Sequence, residues 1–222
     1  YLSSPDFVVK NTDFYFREAI TWSLIASNGF SIRYRKPGSI HDVSGMSAFS
    51  DNRNLLMYIL GLMSTKIANH IFKMLNPTIN LQIGDFNNFP VITTEHADIP
   101  RIVNDSIKIA KEDWDSFETS WDFRVHPLIN SNSIEDAYKR WKDIINSRFS
   151  KLKQNEEELN QIFIKIYGLE RELTAAIEDE EITIRRENIN EDIRSLISYA
   201  VGCIFGRYSL DVEGITFAGD NW

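Results

Sequence analysis

One stretch of the sequence lies close to a catalytic signature for methylation of a nucleobase. Enzymes that methylate the exocyclic nitrogen of adenine carry Asn-Pro-Pro followed by an aromatic residue, and this chain has Asn76, Pro77, Thr78 and Ile79. In that chemistry the base leaves the duplex before its amino group can be reached. The Asn side chain and a neighbouring carbonyl then accept hydrogen bonds from the amino group, and the aromatic ring stacks on the base.

The half of the signature that binds the base is missing. Thr78 cannot fix the backbone as a second Pro would, and Ile79 has no ring face for stacking. Proline is common just after a helix ends, and short motifs discriminate poorly. The stretch is therefore predicted to be a turn that follows a helix, and its likeness to the signature is interpreted as coincidence.

Other residue types that do chemistry are scattered along the chain. His41, His70, His96 and His126 are far apart and Cys203 stands alone, so no pair has the spacing of metal ligands. The sequence contains neither a Gly-x-Ser-x-Gly elbow nor a phosphate-cradling Gly-x-x-x-x-Gly-Lys loop. It also lacks a Gly-rich strand-to-helix turn for a nucleotide cofactor. We therefore predict no catalytic residue, no metal site and no cofactor site in this chain.

Basic and aromatic residues interleave in the segment FSIRYRKPG, which contains Arg33, Arg35 and Lys36. Arg is the commonest reader of guanine in the major groove, and Lys neutralises phosphates. These three residues, together with Lys10 and Arg17, are candidate DNA-binding residues. Arg33 or Arg35 is expected to read a base and Lys36 to contact a phosphate. Alternatively, these charges simply face water on an edge strand and discourage aggregation.

The residues before position 51 favour short strands that would carry these basic residues. The segments FVVK, FSIRYR and SIHDVSG are β-branched or alternating, and the turn pairs NG and PG interrupt them. Asp51 or Asn52 is expected to cap a helix whose apolar residues run from Leu55 to Leu75 with helical spacing. A turn, the short strand INLQI and the irregular segment GDFNNFPV are expected to follow.

From about Ile99 onward the pattern favours helices. Ser133, with Asp136 three residues later, forms a loose capping box, and it opens a periodic apolar run that ends at Gly168. At 1.5 Å per residue, this run predicts a helix of about 35 residues and roughly 50 Å. A final helix is expected to be capped by Asn190. Its predicted apolar face consists of Ile193, Leu196, Ile197, Ala200, Val201, Ile204 and Phe205.

The net charge of −8 over 222 residues is distributed unevenly. Residues 1–95 hold 8 Lys and Arg against 7 Asp and Glu, a net charge of +1, whereas residues 96–222 hold 16 against 25, a net charge of −9. Such asymmetry suggests different partners for the two parts.

The strand and helix patterns together predict the fold class α+β, with a β-containing domain at residues 1–95 followed by a domain of long helices at residues 96–222.

Composition also indicates the cellular compartment. The single cysteine excludes an internal disulfide, which fits the reducing cytoplasm. The sequence shows no signal peptide, and no apolar run reaches the length of a membrane span. A cytoplasmic protein without membrane contact is expected.

Six blocks of the sequence resemble one family. They are FYFREAITWS, GSIHDVSGMSAF, LLMYILGLMSTKIANHIFKMLNPTINLQIGDFNNFPV, KEDWDSFETSWDF, LKQNEEELNQIFIKIYGLERELT and DIRSLISYAVGCIFGRYSLDVEG. Together they resemble the C-terminal region of PglX-type proteins, which are adenine-specific DNA methyltransferases of bacterial phage-exclusion (BREX) systems, related to single-chain restriction-modification enzymes. The resemblance covers nearly the whole chain.

The resemblance implies that residues 1–95 belong to a partial DNA target recognition domain and residues 96–222 to a helical spacer. The helix, the Asn76-Pro77 turn, the short strand and the exit at Pro90 also resemble the closing element of target recognition domains in type I specificity subunits. The family's catalytic domain, with its S-adenosylmethionine site and its Asn-Pro-Pro-aromatic motif, lies upstream of this region. The implied partners are double-stranded DNA, the parent methyltransferase domain and other phage-defence proteins.

Two alternatives to DNA recognition remain open at this point. The acidic helical part could instead be a protein-interaction module that docks on the methyltransferase domain or on other defence-system subunits. Trp114, Trp121 and Trp141 are its candidate anchors, although aromatic residues at helical spacing are more often buried in a core. The two functions are compatible because they use different parts of the chain. A complete enzyme is the weakest alternative.

Overall fold

The computed structural model describes residues 11–25, 29–42, 44–129 and 131–216. Within these ranges the fold is α+β, as predicted, with one three-stranded antiparallel sheet and six α-helices. The chain divides into two compact units: unit 1 is Tyr1–Asn104 with Glu156–Ala176, and unit 2 is Asp105–Asn155 with Ile177–Trp222. The assignment of residues 1–95 and 96–222 to a recognition domain and a spacer stays a prediction.

The sheet lies in unit 1 and has the strand order β2-β1-β3. Strand β1 is Ala19–Ser23, β2 is Ile32–Arg35 and β3 is Gly45–Ala48. Strand β2 confirms the prediction for FSIRYR. The predicted strand FVVK lies outside the described residues. The prediction for SIHDVSG was placed too early, since the strand begins only at the Gly of that segment.

The two faces of the sheet differ because side chains alternate along each strand. Ile20 and Trp22 of β1 and Ile32 of β2 are buried on one face. On this face the Trp22 ring stacks on Phe86 with centroids 4.3 Å apart, and its indole N–H donates to the Leu81 carbonyl at 3.2 Å. The opposite face carries the basic residues of β2.

The single helix predicted from Leu55 to Leu75 is wrong in one respect. The chain forms two helices, α1 at Arg53–Met63 and α2 at Lys66–Leu75, which meet at a bend of 76°. The predicted cap is confirmed, because the Asn52 side chain accepts the backbone N–H at the start of α1.

The bend has a local chemical cause. The Ser64 hydroxyl donates to the Leu60 carbonyl at 2.8 Å, and the Thr65 hydroxyl donates to the Leu62 carbonyl at 2.6 Å. Side chains of this kind compete with backbone donors for the carbonyls of a helix. Thr65 has an extended backbone, with φ −90° and ψ 165°, so the helical hydrogen bonding stops there and restarts at Lys66.

The stretch after α2 is a turn, as predicted, but the strand INLQI is wrong. The segment contributes one antiparallel bridge, between Ile25 and Asn80, and then enters α3 at Ile83–Asn87. The side chain of Asp85 explains why a short helix forms, because it accepts the N–H of Gln82 at 2.8 Å and so caps the first turn.

Helix α4 spans Asp98–Trp114 and helix α5 spans Ile134–Tyr167. The 34 residues of α5 confirm the predicted long helix and its cap: the Ser133 hydroxyl oxygen accepts the N–H of Asp136 at 3.1 Å. Gly168 follows with φ +66°, a conformation that favours glycine and ends the helix.

Helix α6 spans Ile189–Ile204 in unit 2. The cap predicted at Asn190 is wrong by two residues, since the Asn188 side chain accepts the N–H groups of Asn190 and Glu191. The predicted apolar face is also wrong in part. Its outer residues are exposed: Ile197, Ala200, Val201, Ile204 and Phe205.

Unit 2 has its own core. One buried cluster combines Phe117 and Leu128 with Trp141 of α5, and the Trp141 indole N–H donates to the buried Asp192 carboxylate at 3.3 Å. Two short 3-10 helices complete the described elements: Thr12–Phe14 in unit 1 and Asp179–Glu181 in unit 2.

Within the described ranges, no single helix has the length and apolarity of a membrane span. The bent pair of α1 and α2 matches one by length and composition only.

Candidate nucleic-acid interface

The basic residues of β2 lie on the face of the sheet opposite the buried core. Arg33 pairs with Thr21 of β1, and Arg35 pairs with Ala19. Residues two apart on a strand point to the same side, so both arginines project from this outer face. The buried residues Ile32 and Ile20 fix the orientation because they hold the other face against the helices.

Arg35 is the least accessible of the predicted DNA-binding residues that the structure describes. Its Nη1 donates to the Ser47 hydroxyl of β3 at 3.1 Å, so its side chain crosses β1, where the small Ala19 leaves room. Its guanidinium lies 5.5 Å from the Phe49 ring centroid, and Nε and Nη2 are shielded from solvent. Burial lowers the pKa of Arg35 from its usual value. Arg35 therefore stabilises the outer face of the sheet, and its shielded guanidinium is poorly placed to hydrogen-bond a base.

Arg33 and Lys36 are the exposed members of the β2 group. The Arg33 guanidinium makes a hydrogen bond to the carbonyl of its own neighbour, Ile32, at 2.8 Å. Such a bond can be exchanged for one to a ligand without unfolding the strand. Lys36 follows directly at the end of β2, at the start of the turn to β3. These two exposed cations, called the cationic edge below, lie along β2 and just past its end, and of the two, alternation places only Arg33 on the outer face.

Arg17 also lies in unit 1, but it has protein partners. Its guanidinium forms an ion pair with Asp51 at 2.5 Å and lies 5.3 Å from the Phe14 ring centroid. Asp51 is almost fully exposed, and such surface pairs contribute little, about 0–1 kcal/mol. A phosphate could therefore replace Asp51. The predicted residue Lys10 lies outside the described residues.

Sequence reasoning missed Phe16, which lies beside this edge. Its backbone φ is +63°, and its ring is 62% exposed. The Phe16 N–H donates to the Ser39 carbonyl at 2.9 Å, and the Gly38 N–H donates to the Phe16 carbonyl at 3.1 Å. These bonds place Phe16 against the turn that carries Lys36. No pattern of residue types signals a left-handed Phe, so Phe16 could not be found from the sequence.

The Asn76 side chain is fully occupied within its own turn. Its amide nitrogen donates to the Asn80 carbonyl at 2.7 Å and to the Asp85 carboxylate at 2.9 Å. Its amide oxygen accepts the Thr78 N–H at 2.9 Å and the Thr78 hydroxyl at 2.6 Å. An amide with this set of partners cannot accept from the amino group of adenine unless the turn opens. The interpretation of this stretch as a turn is confirmed.

His126 is the most buried histidine, yet its geometry does not suit a general base. The Leu128 N–H donates to Nδ1 at 3.2 Å, so Nδ1 is unprotonated and Nε2 carries the proton. Nε2 therefore donates to the Ser195 hydroxyl, 3.1 Å away, rather than taking its proton. Burial lowers the pKa of His126 to about 4. The described residues contain no group of three or more His, Cys, Asp or Glu side chains placed to hold a metal ion.

The described strands and helices contain no Gly-rich turn from a strand into a helix, the turn that binds the pyrophosphate in doubly wound dinucleotide-binding folds. Both strand pairs of the sheet are antiparallel. The connection from β3 to α1 is Phe-Ser-Asp-Asn, without glycine.

Comparison with known proteins shows that nearly the whole chain is similar to a region of two adenine-specific methyltransferases. It is 38% identical over 219 residues to the adenine-specific methyltransferase PglX of Lacticaseibacillus casei (strain Zhang), a match that covers 96% of this chain and 18% of the relative. It is 34% identical over 230 residues to the adenine-specific methyltransferase BrxX of Escherichia coli O9:H4 (strain HS), covering 95% and 19%. No family model matches the chain.

These identities make the chain homologous to a region of adenine-specific methyltransferases. Within that class, the matched relatives are the PglX and BrxX proteins. The chain spans about a fifth of the length of these relatives. The resemblance expected from the sequence is thus confirmed for nearly the whole chain.

Proposed function

We propose that this chain is a non-catalytic, DNA-contacting region of a longer adenine-N6 DNA methyltransferase that acts in phage defence or restriction-modification. The observation that carries the proposal is the exposed cationic edge formed by Arg33 and Lys36 in a chain homologous to a region of adenine-specific methyltransferases. Unit 1 provides target recognition, and the long helix α5 provides structural spacing.

The two cations have different roles in this proposal. Arg33 reads a base, because a guanidinium can bond the O6 and N7 of guanine at once. Lys36 contacts a phosphate, because an ammonium is a point charge without a fixed plane. Arg35 stabilises the outer face of the sheet through its hydrogen bond to Ser47 and its contact with the Phe49 ring. Arg17 joins the phosphate contacts when its pair with Asp51 opens.

In this proposal, methyl transfer takes place in another part of the parent protein, where S-adenosylmethionine binds. Two features of this chain support that division. The Asn76 amide is committed to its turn, and the described residues lack a turn for the cofactor. The chain therefore contributes affinity and sequence choice for double-stranded DNA, while the parent methyltransferase domain supplies the chemistry.

Two measurements on the 222-residue chain test the proposal. Fluorescence anisotropy with labelled duplexes should detect binding that weakens as salt is raised, since phosphate contacts release counterions. Mass spectrometry of duplex DNA incubated with the chain and S-adenosylmethionine should detect no added methyl group. Methylated adenine would make the chain an enzyme, and the absence of duplex binding at low salt would remove the recognition role.

A second candidate function is a helical protein-interaction module, and the exposed apolar side of α6 favours it. Ile204 and Phe205 are 79% and 78% exposed, and Ile197 and Val201 lie on the same side one or two turns earlier. Apolar surface of this kind often marks an interaction site. The partner would be the parent methyltransferase domain or another phage-defence protein.

Paired charge substitutions test this second candidate. Ile204→Glu with Phe205→Glu should abolish binding of the chain to the separately produced methyltransferase domain of the parent. Lys139→Glu with Arg140→Glu, on an exposed part of α5, is the control. Equal binding by both double variants would exclude α6 as the docking surface for that domain.

Of the three tryptophans predicted as anchors, Trp114 and Trp121 are exposed, and Trp141 is buried in the core of unit 2. Trp121 borders an open cleft of about 610 Å³ in unit 2, together with Lys111, Asp115, Asp122 and Arg124. The charges in this cleft pair with one another: Lys111 with both aspartates, and Arg124 with Glu213. The lining therefore holds two cations against three carboxylates, and all five are engaged in ion pairs with one another, so α6 is the better candidate.

A further inference from the structure

Phe16 occupies a backbone conformation that its side chain disfavours. Its φ of +63° lies in the left-handed region, where the Cβ atom of an L-residue crowds the backbone and where bulky residues are rare. Strain of this kind persists only where the surrounding structure enforces it, and it concentrates at functional sites. A glycine would occupy the same position without strain.

The enforcing structure is a pair of backbone hydrogen bonds. The Phe16 N–H donates to the Ser39 carbonyl at 2.9 Å, and its carbonyl accepts the Gly38 N–H at 3.1 Å. Together they fasten Phe16 to the turn between β2 and β3. That turn is itself shaped by Gly38, whose φ is +105°. The position of the ring is therefore fixed by the backbone on two sides.

The ring held in this way is not part of the core. It is 62% exposed, and its described aromatic neighbour is Tyr15, whose ring meets it edge-on with centroids 6.4 Å apart. Other aromatic residues in this region pack against one another. The ring centroids of Phe14 and His41 lie 4.8 Å and 5.3 Å from that of Phe49. Packing thus accounts for those rings and not for Phe16.

Two cations lie close to Phe16 along the backbone. Arg17 is its chain neighbour, and Lys36 begins the turn to which Phe16 is fastened. An exposed apolar ring flanked by cations matches what an unstacked nucleobase needs: an aromatic surface for the base and positive charge for the phosphates beside it. Architectural DNA-binding proteins insert apolar side chains between base steps in this way.

We propose that Phe16 is a DNA contact that stacks on the face of an unstacked nucleobase, with Arg17 and Lys36 holding the phosphates on either side. This inference rests on the proposed DNA-binding function and deepens it. It predicts that the chain perturbs base stacking where it binds, which a purely electrostatic contact would not do. It also predicts that Phe16 lowers the stability of the free chain while it raises affinity for DNA.

Three variants of the 222-residue chain test the inference. Phe16→Gly removes the ring and relieves the backbone strain. Phe16→Trp keeps an aromatic face. Ile40→Ala is the matched control, since Ile40 is an apolar residue of the same turn region with the same exposure of 62%. Each is measured for thermal stability, for anisotropy with duplex DNA, and for fluorescence changes in duplexes that carry 2-aminopurine in place of single adenines.

Phe16→Gly should melt at the same or a higher temperature than the unmodified chain, yet bind duplex roughly 5- to 150-fold more weakly. It should also lose the 2-aminopurine response. Phe16→Trp and Ile40→Ala should retain both binding and response. A Phe16→Gly chain that binds normally would overturn the inference and leave the cationic edge as the DNA contact, whereas absence of duplex binding by every chain would overturn the proposed function as well.

Discussion

The side-chain oxygen of Asn160, in α5, accepts the backbone N–H of Lys66 at 2.9 Å, and Lys66 is the first residue of α2. The first N–H groups of a helix have no partner within the helix. Asn160 therefore caps a helix that lies 94 residues earlier in the chain. Its amide nitrogen also donates to the Ala175 carbonyl at 3.3 Å, so one buried side chain connects three segments of unit 1.

We expect Asn160→Ala to destabilise the chain by about 1–3 kcal/mol, because two backbone groups lose their partner in a buried place. Urea denaturation followed by circular dichroism measures this. Gln161→Ala is the control, since Gln161 is exposed on the same turn of α5. Equal midpoints for the two variants would mean that water replaces Asn160 at little cost.

A second prediction concerns the buried stripe of α5. Ile145 packs in unit 2 and Phe163 packs in unit 1, and both are fully or almost fully buried. Either one replaced by Ala should destabilise by about 2–5 kcal/mol, because a cavity is left behind. Ile144→Ala is the matched control, since Ile144 is 45% exposed beside Ile145. If all three variants melted at the same temperature, the prediction that this stripe of α5 is buried would be wrong.

Features set by neighbouring residues were predictable from the sequence, and features set by distant residues were not. The cap at Ser133 and the helix end at Gly168 follow from local chemistry, and both were found. The bend between α1 and α2 depends on both near and distant residues: the hydroxyls of Ser64 and Thr65 bond nearby carbonyls, and the Lys66 N–H bonds Asn160, far along the chain, so the local apolar pattern alone predicted one continuous helix.

The central strand β1 was missed for a related reason. Its five residues, Ala-Ile-Thr-Trp-Ser, alternate apolar and polar side chains, but the run is short, and it becomes the central strand because both neighbours pair with it. The candidate site shows the same limit. The sequence identified the cations, but not that Arg17 pairs with Asp51 or that Arg35 is shielded beside Phe49.

The buried imidazole of His126 predicts a loss of stability in acid. Its pKa is about 4 in the folded chain, against 6.5 for an exposed histidine, so the unfolded chain binds a proton more readily. Folding stability is therefore unaffected by this group above about pH 7.5 and falls as the pH drops from 6.5 towards 4. The total loss from this residue is about 3 kcal/mol.

The pH effect is isolated by comparing the unmodified chain with His126→Gln in urea denaturation between pH 4 and pH 8. The variant lacks the titrating group, so its stability should decrease less steeply over this range, while contributions from carboxylates are common to both. Parallel curves would show that His126 accepts its proton without a structural cost.

Rebuilding the near-signature should give no enzyme. Thr78→Pro with Ile79→Tyr restores the residue types of the adenine-methylation signature, but the described residues offer no cofactor turn. The double variant should also be less stable by about 1 kcal/mol, because a proline at position 78 cannot donate the N–H that now bonds the Asn76 amide. Mass spectrometry of treated DNA and a thermal melt measure the two effects. Methylated adenine from the double variant would contradict the interpretation of this stretch as a turn.

The last prediction separates a phosphate contact from a base contact at the cationic edge. Lys36→Ala should weaken binding similarly on all duplexes. It should also reduce the slope of log affinity against log salt concentration by about 0.9. Arg33→Ala should instead cost about 1–3 kcal/mol on the preferred sequence and much less on random DNA. The preferred sequence is first obtained by selecting bound duplexes from a randomised pool.

Arg194→Ala is the control for both variants, because it removes one exposed positive charge from α6 of unit 2 and leaves unit 1 unchanged. A general effect of net charge would weaken binding equally in all three variants. A specific contact requires that Arg194→Ala bind like the unmodified chain while Lys36→Ala shows a shallower salt dependence and Arg33→Ala loses sequence preference. If neither variant of unit 1 differs from Arg194→Ala, then Arg33 and Lys36 are solvated charges on a strand edge that discourage aggregation, and DNA binding by this chain must use another surface.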